Sequence, residues 1–176
     1  MLLASEGSTT TLLDALLGES LRLRLDEVRT GRGREAPNAA RTALHLTDTT
    51  PVLVRRSALV TVAGLVVSRN LVVARGPFDG PMGRVLTGAE PIGRTMNGSR
   101  DGHSRTLLEA GWSTWESGDG QLTCAFKAYV MSEGGRRQVY VEERFNPRCI
   151  PADPHAVPPA VVPRQVVPGQ RGRRSR

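Results

Sequence analysis

Of the 24 basic residues in this 176-residue chain only one, Lys127, is a lysine, and the other 23 are arginines. So strong a bias is the mark of a GC-rich genome rather than of selection for phosphate contacts. Aromatics make up only 4% of the chain. The basic residues are not interleaved with stacking rings and form no reader motif, so no nucleic-acid partner is expected. There are two cysteines, Cys124 and Cys149, with no CxxC spacing, which excludes a disulfide scaffold and leaves Cys124 as a buried thiol. The three histidines, His45, His103 and His155, are scattered. With no HExxH, GxSxG or Walker-type loop either, neither a metal nor a cofactor is expected. No apolar run reaches the length of a membrane span, and residues 1–6 lack the basic start of a secretory leader, so a membrane partner is not expected and a cytoplasmic location is.

What the chain does hold is enough apolar sequence, 39%, for one core. The net charge of +7 divides unevenly. Residues 153–176 carry five arginines against the single acid Asp153, a net +4, which leaves +3 for residues 1–152. One domain over residues 1–150 is expected, followed by a proline- and arginine-rich tail, 151–176, that is extended or disordered.

Hydroxyls at Ser8 to Thr11 followed by Leu12, Leu13, Leu16 and Leu17 predict a helix ending at Gly18. Residues 20–26 alternate as a strand with Leu21, Leu23 and Leu25 inward. The polar stretch 30–50 reads as a mobile connection. Residues 51–62 and 65–73 flank Gly64 as a hairpin. Pro91-Ile92-Gly93 suggests a helix start with backbone N–H groups free to face an anion. Residues 104–112 read as a short helix closed by Gly111, with Trp112 and Trp115 as core. A strand over 121–131 then turns at Gly134-Gly135 into a last strand, 138–147.

In that last strand, alternation puts Glu143 on the face of Val139, Val141 and Phe145. A carboxylate among apolar side chains is costly unless something pairs with it, which makes it a candidate for chemistry; a one-residue bulge turning it to solvent is the plainer alternative. Arg56 shares a face with Val52, Val54 and Ala58, and Arg69 alternates with Val67, Leu71 and Val73. Arg56 and Glu143 therefore make either a buried structural ion pair or a pocket for a small anion, with arginine as anchor and glutamate as acid or base.

Five stretches, Glu6-Gly7-Ser8-Thr9-Thr10, Val54-Arg55-Arg56-Ser57-Ala58-Leu59-Val60, Ser68-Arg69-Asn70-Leu71-Val72-Val73, Glu90-Pro91-Ile92-Gly93-Arg94 and Val141-Glu142-Glu143-Arg144-Phe145-Asn146-Pro147, resemble in this order the chorismate pyruvate-lyase family. That family shares its fold with the effector-binding (UTRA) domain of GntR-type regulators. The resemblance implies an α+β fold, a single antiparallel sheet of about six strands with helices packed around it and a ligand enclosed between sheet and helices. It implies a lyase converting chorismate to 4-hydroxybenzoate and pyruvate without cofactor, as an aromatic precursor for specialised metabolism. Glu143 is then the catalytic carboxylate and Arg56 the grip on the ring carboxylate. Ile92 and Gly93 offer backbone N–H to that carboxylate, and Arg69 meets the pyruvyl carboxylate. Thr9, where typical lyases carry methionine, makes the cover over the ring more polar. A monomer or dimer is expected. The alternative is a non-catalytic sensor of small aromatic acids; the length, short for an added winged helix, weighs toward the lyase.

Overall fold

The computed structural model describes residues 8–78, 81–88, 92, 104–118 and 120–152. Among the described residues the elements follow one another as α1 (Thr9–Leu17), β1 (Arg22–Arg32), a 3-10 turn (Gly33–Glu35), α2 (Asn38–Leu44), β2 (Pro51–Val60), β3 (Val66–Arg75), α3 (Pro81–Thr87), β4 (Ser104–Ser117), β5 (Gly120–Glu133) and β6 (Arg136–Phe145). The strands form one antiparallel sheet in the order β1-β2-β3-β6-β5-β4. The last strand in sequence thus lies in the middle, with covered faces on both sides.

Local chemistry accounts for the element ends. Ser8 caps α1, its hydroxyl accepting from the Thr11 N–H, and Gly18 closes the helix in the left-handed region at φ 70°. Gly134 and Gly135, at φ 55° and 78°, make the two-residue turn between β5 and β6, a geometry whose twist matches that of the strands it joins.

The two sheet faces carry different covers. On one, Val52, Val54, Val73, Ala128, Val130 and Tyr140 pack under the α2 region through Ala36, Ala40, Ala43 and Leu44. On the other, Leu53, Val72, Ala74, Met131, Val139 and Val141 pack with Leu86 of α3, and Leu59, Val67, Ala125 and Phe145 pack with Leu13 of α1.

Two sequence expectations change here. The stretch 30–50 is not a loose connection: it finishes β1 and forms α2, whose apolar face consists mostly of alanines and so gives little hydrophobic signal. The carbonyl ends of α2 accept from sheet arginines, Arg75 Nη2 to Leu44 O at 2.7 Å and to His45 O at 2.6 Å, and Arg137 Nη1 to Ala43 O at 3.1 Å. Residues 104–112 are strand, not helix. A bulge between Leu107 and Glu109 breaks the alternation, and the adjacent Leu107-Leu108 that results mimics helical spacing. The expected helix start at residues 90–96 lies outside the described residues apart from Ile92, as does the tail from residue 153 onward.

Candidate ligand-binding site

Strand register builds the site. On the face under α1 and α3, Ser57 pairs across to Asn70, Asn70 to Glu143 and Glu143 to Lys127, so four polar side chains form one row across β2, β3, β6 and β5. The next row runs Arg55, Val72, Val141, Tyr129. Apolar rows bound this band: Leu53, Ala74, Val139 and Met131 on the α3 side, and Leu59 and Phe145 toward α1. Polar groups in the middle of an apolar face are costly to bury without partners, so this band is the place in the sheet that calls for a function.

Above the band lies a small recess of about 40 Å³, partly open to solvent. Thr9 and Thr10 of α1 and Ile92 line one side, and Arg55, Ser57, Asn70, Tyr129 and Glu143 line the sheet side. Leu23, Leu59, Val72 and Val141 supply apolar wall. A recess where several polar side chains converge beside an apolar wall offers a small ligand both hydrogen bonds and a place for an apolar body.

Glu143 is 8% exposed and anchored from three directions. The Thr9 hydroxyl donates to its Oε2 at 2.7 Å, the Tyr129 hydroxyl donates to Oε1 at 3.4 Å, and the Lys127 ammonium stands 3.6 Å from Oε2. Burial pushes the Tyr129 phenol well above its ordinary range, and the neighbouring Glu143 carboxylate adds to that, so Tyr129 stays a neutral donor. Burial pushes the Lys127 ammonium down, and Glu143 pulls it partly back. Arg55 is 1% exposed, its guanidinium lowered by burial, and its Nη2 donates to the Gly88 carbonyl at 3.0 Å.

The expected site residues do not all meet. Glu143 and Thr9 face the cavity and touch each other; Ile92 lines it; Gly93 lies outside the described residues. Arg56 lies elsewhere. It does share its face with Val52, Val54 and Ala58, but that face is the opposite one, and there it is exposed and paired to Glu27 at 3.2 Å. Arg69 is on that far side too, its guanidinium 4.4 Å over the Trp115 ring and its Nη1 donating to the Glu116 carbonyl at 2.9 Å. Together with Arg144 and Glu142 they border an open groove. The arginine on the Glu143 side is Arg55. Because both faces of β2 are apolar, alternation alone could not say which one the carboxylate shares. Lys127 was missed for the same reason: in β5 both alternating sets hold buried residues, Cys124, Ala128 and Val130 on one side and Ala125, Lys127 and Met131 on the other. Among the described residues no group of three His, Cys, Asp or Glu is placed to hold a metal.

No protein-family model and no curated protein matches this sequence. Solved structures do match in fold. PhnF from Mycobacterium smegmatis superposes with a TM-score of 0.57 at 15% identity, over 81% of this chain and 65% of its own. The ligand-binding domain of a protein assigned as a GntR-family transcriptional regulator from Bordetella bronchiseptica gives 0.50 at 14% identity, over 72% and 84%. YydK from Bacillus subtilis, named as a possible transcriptional regulator, gives 0.52 at 12% identity, over 73% and 58%. This chain therefore spans 65% of the PhnF chain and 58% of the YydK chain. The fold is that of the UTRA and chorismate lyase-like domains, a single antiparallel six-stranded sheet with a few helices. The expected carbon–oxygen lyase is overturned by these neighbours, two of which are named as transcriptional regulators. The expected conversion of chorismate to 4-hydroxybenzoate falls with it. Among the described residues no helix is long and apolar enough to cross a membrane.

Proposed function

We propose that this chain is a non-catalytic effector-binding domain for a small organic anion, an aromatic or similarly flat carboxylic acid. The observation that carries this reading is the cavity itself, with the buried Arg55 guanidinium on one wall and the Glu143 carboxylate, already anchored, on another. A guanidinium in a desolvated recess is a strong carboxylate partner, and the apolar wall of Leu23, Leu59, Val72 and Val141 suits a ring or short hydrocarbon body. Glu143 then serves as an acceptor for a hydroxyl or amino group on the ligand rather than as an acid or base. Ser57, Asn70 and Thr10 add neutral hydrogen-bonding groups around the same space. The fold shared with regulator ligand-binding domains supports a sensing role.

The test is thermal shift and calorimetric titration with benzoate, 3-hydroxybenzoate, 4-aminobenzoate and, as an uncharged control, benzyl alcohol. Binding of the acids raises the melting temperature, by an amount that corresponds to about 2.7 kcal/mol at a hundredfold excess over Kd. Ring-substituted donors bind better than benzoate, and benzyl alcohol does not bind. Consumption of any ligand during the titration, or equal binding of benzyl alcohol, sinks the reading.

A further inference from the structure

The single lysine of the chain sits where a lysine is hardest to accommodate. The Lys127 side chain is 2% exposed, in the same cross-strand row as Ser57, Asn70 and Glu143, with its ammonium 3.6 Å from Glu143 Oε2. A buried ion pair is weak support for stability, since an apolar pair of the same volume fills such a position without the cost of desolvating two charges. Its location makes more sense in terms of the ligand. Glu143 faces the cavity that, on the reading above, admits an anion held by Arg55. Two anions close together in a low-dielectric recess repel, and the usual relief is that one of them takes up a proton. Lys127 stands against Glu143 from β5 and supplies a counter-charge.

We propose that Lys127 is a positioning residue for ligand charge, pairing with Glu143 so that a monoanion binds beside that carboxylate without proton uptake. The inference rests on the small-anion reading of the cavity. Among the described residues, the charged and titratable groups around Glu143 are Lys127 and Tyr129 from β5 and Arg55 from β2, with Arg105 of β4 acting on Lys127 and Tyr129 through space. Thr9 of α1 and Asn70 of β3 are uncharged, and among the described residues no second acid lines the cavity.

The experiment is a pH series of benzoate and 3-hydroxybenzoate titrations on the full chain, wild type against Lys127→Met and Lys127→Arg. Wild type and Lys127→Arg bind with affinity that is flat from pH 5.5 to 8. In Lys127→Met the carboxylate has lost its counter-charge, so binding requires its protonation: affinity is near wild type at pH 5.5 and about tenfold or more weaker at pH 8. A lysine with a merely structural role would lower affinity by one factor at every pH. Calorimetry in buffers of different ionisation enthalpy supplies an independent readout, with protons taken up on binding by Lys127→Met and none by wild type. A ligand-free measurement covers the case in which the variant binds poorly throughout: urea unfolding shows Lys127→Met losing more stability relative to wild type at pH 8 than at pH 5.5. A flat affinity profile in Lys127→Met, or proton uptake already in wild type, overturns the inference and leaves the anion site standing. Failure of wild type to bind any acid removes the anion site and this inference with it.

Discussion

The two faces of the sheet are built from the same residue types and do opposite things with them. Arg55 and Arg56 are neighbours in β2; one is 1% exposed and lines a cavity, the other is exposed and paired across the edge to Glu27. Glu143 and Glu142 are neighbours in β6; the first is held by Thr9, Tyr129 and Lys127 inside the cavity, and the second accepts from Arg144 and Tyr140 on the open side. What differs is the cover. On one face α1, the Gly88 carbonyl and Ile92 close over the middle of the sheet. On the other, α2 covers Val52 and Val54 but not Arg56. A charge in a strand becomes a binding group or a solvated one according to which segment lies above it.

Four comparisons test that contrast. Truncating Leu13, the fully buried leucine of α1, or Val73, fully buried under α2, removes core contacts on opposite faces. Each is expected to cost about 2–4 kcal/mol in urea unfolding, but only Leu13→Ala also weakens acid binding, because α1 carries Thr9 and Thr10. Arg55→Met is expected to weaken benzoate binding by about a hundredfold, as the loss of a buried charged partner typically does, while Arg56→Met changes it less than about twofold. Equal effects of the two arginines would erase the distinction between the faces.

Alkaline titration compares the faces through their tyrosines, Tyr129 on the cavity side and Tyr140 on the α2 side, the two tyrosines of the chain. Burial and a neighbouring glutamate raise both phenols, Tyr129 beside Glu143 and Tyr140 beside Glu142. For a phenol whose folded pKa lies above its unfolded value, the stabilising contribution is complete below about pH 10 and is lost as pH rises above it. Tyrosinate absorbance near 295 nm is therefore expected only together with alkaline unfolding; a separate titration near pH 10 would show that one face is open. Smallest of the four, Glu27→Ala should cost about 0–1 kcal/mol, since its pair with Arg56 is exposed on both sides.

Much of this arrangement is written locally. Ser8 and Gly18 fix the ends of α1, the paired glycines 134–135 fix the β5–β6 turn, and alternation in β6 picks out Glu143 as a carboxylate on an apolar face. The parts that depend on what crosses over what are not written locally. In β2 both alternating sets are apolar, so sequence separates Arg55 from Arg56 but does not say which of them meets Glu143. Lys127 shows the same ambiguity in β5. The bulge at Leu107 and Glu109 conceals a strand, because two leucines in succession satisfy a helical pattern as readily as a broken β pattern. α2 escapes notice because alanines bury well against a sheet yet barely register as hydrophobic.

α2 also bears on the order in which the molecule is assembled. Seven residues are too few to persist as a helix in water, where isolated helices below about a dozen residues are marginal. Its last carbonyls are held by Arg75 at the end of β3 and Arg137 at the start of β6, strands far from it in sequence but adjacent in the sheet. Both guanidiniums come into range only when β6 has docked beside β3, a pairing between distant parts of the chain and hence a slow one. The helix that precedes both strands in sequence is therefore expected to form after them, with the finished centre of the sheet as its template.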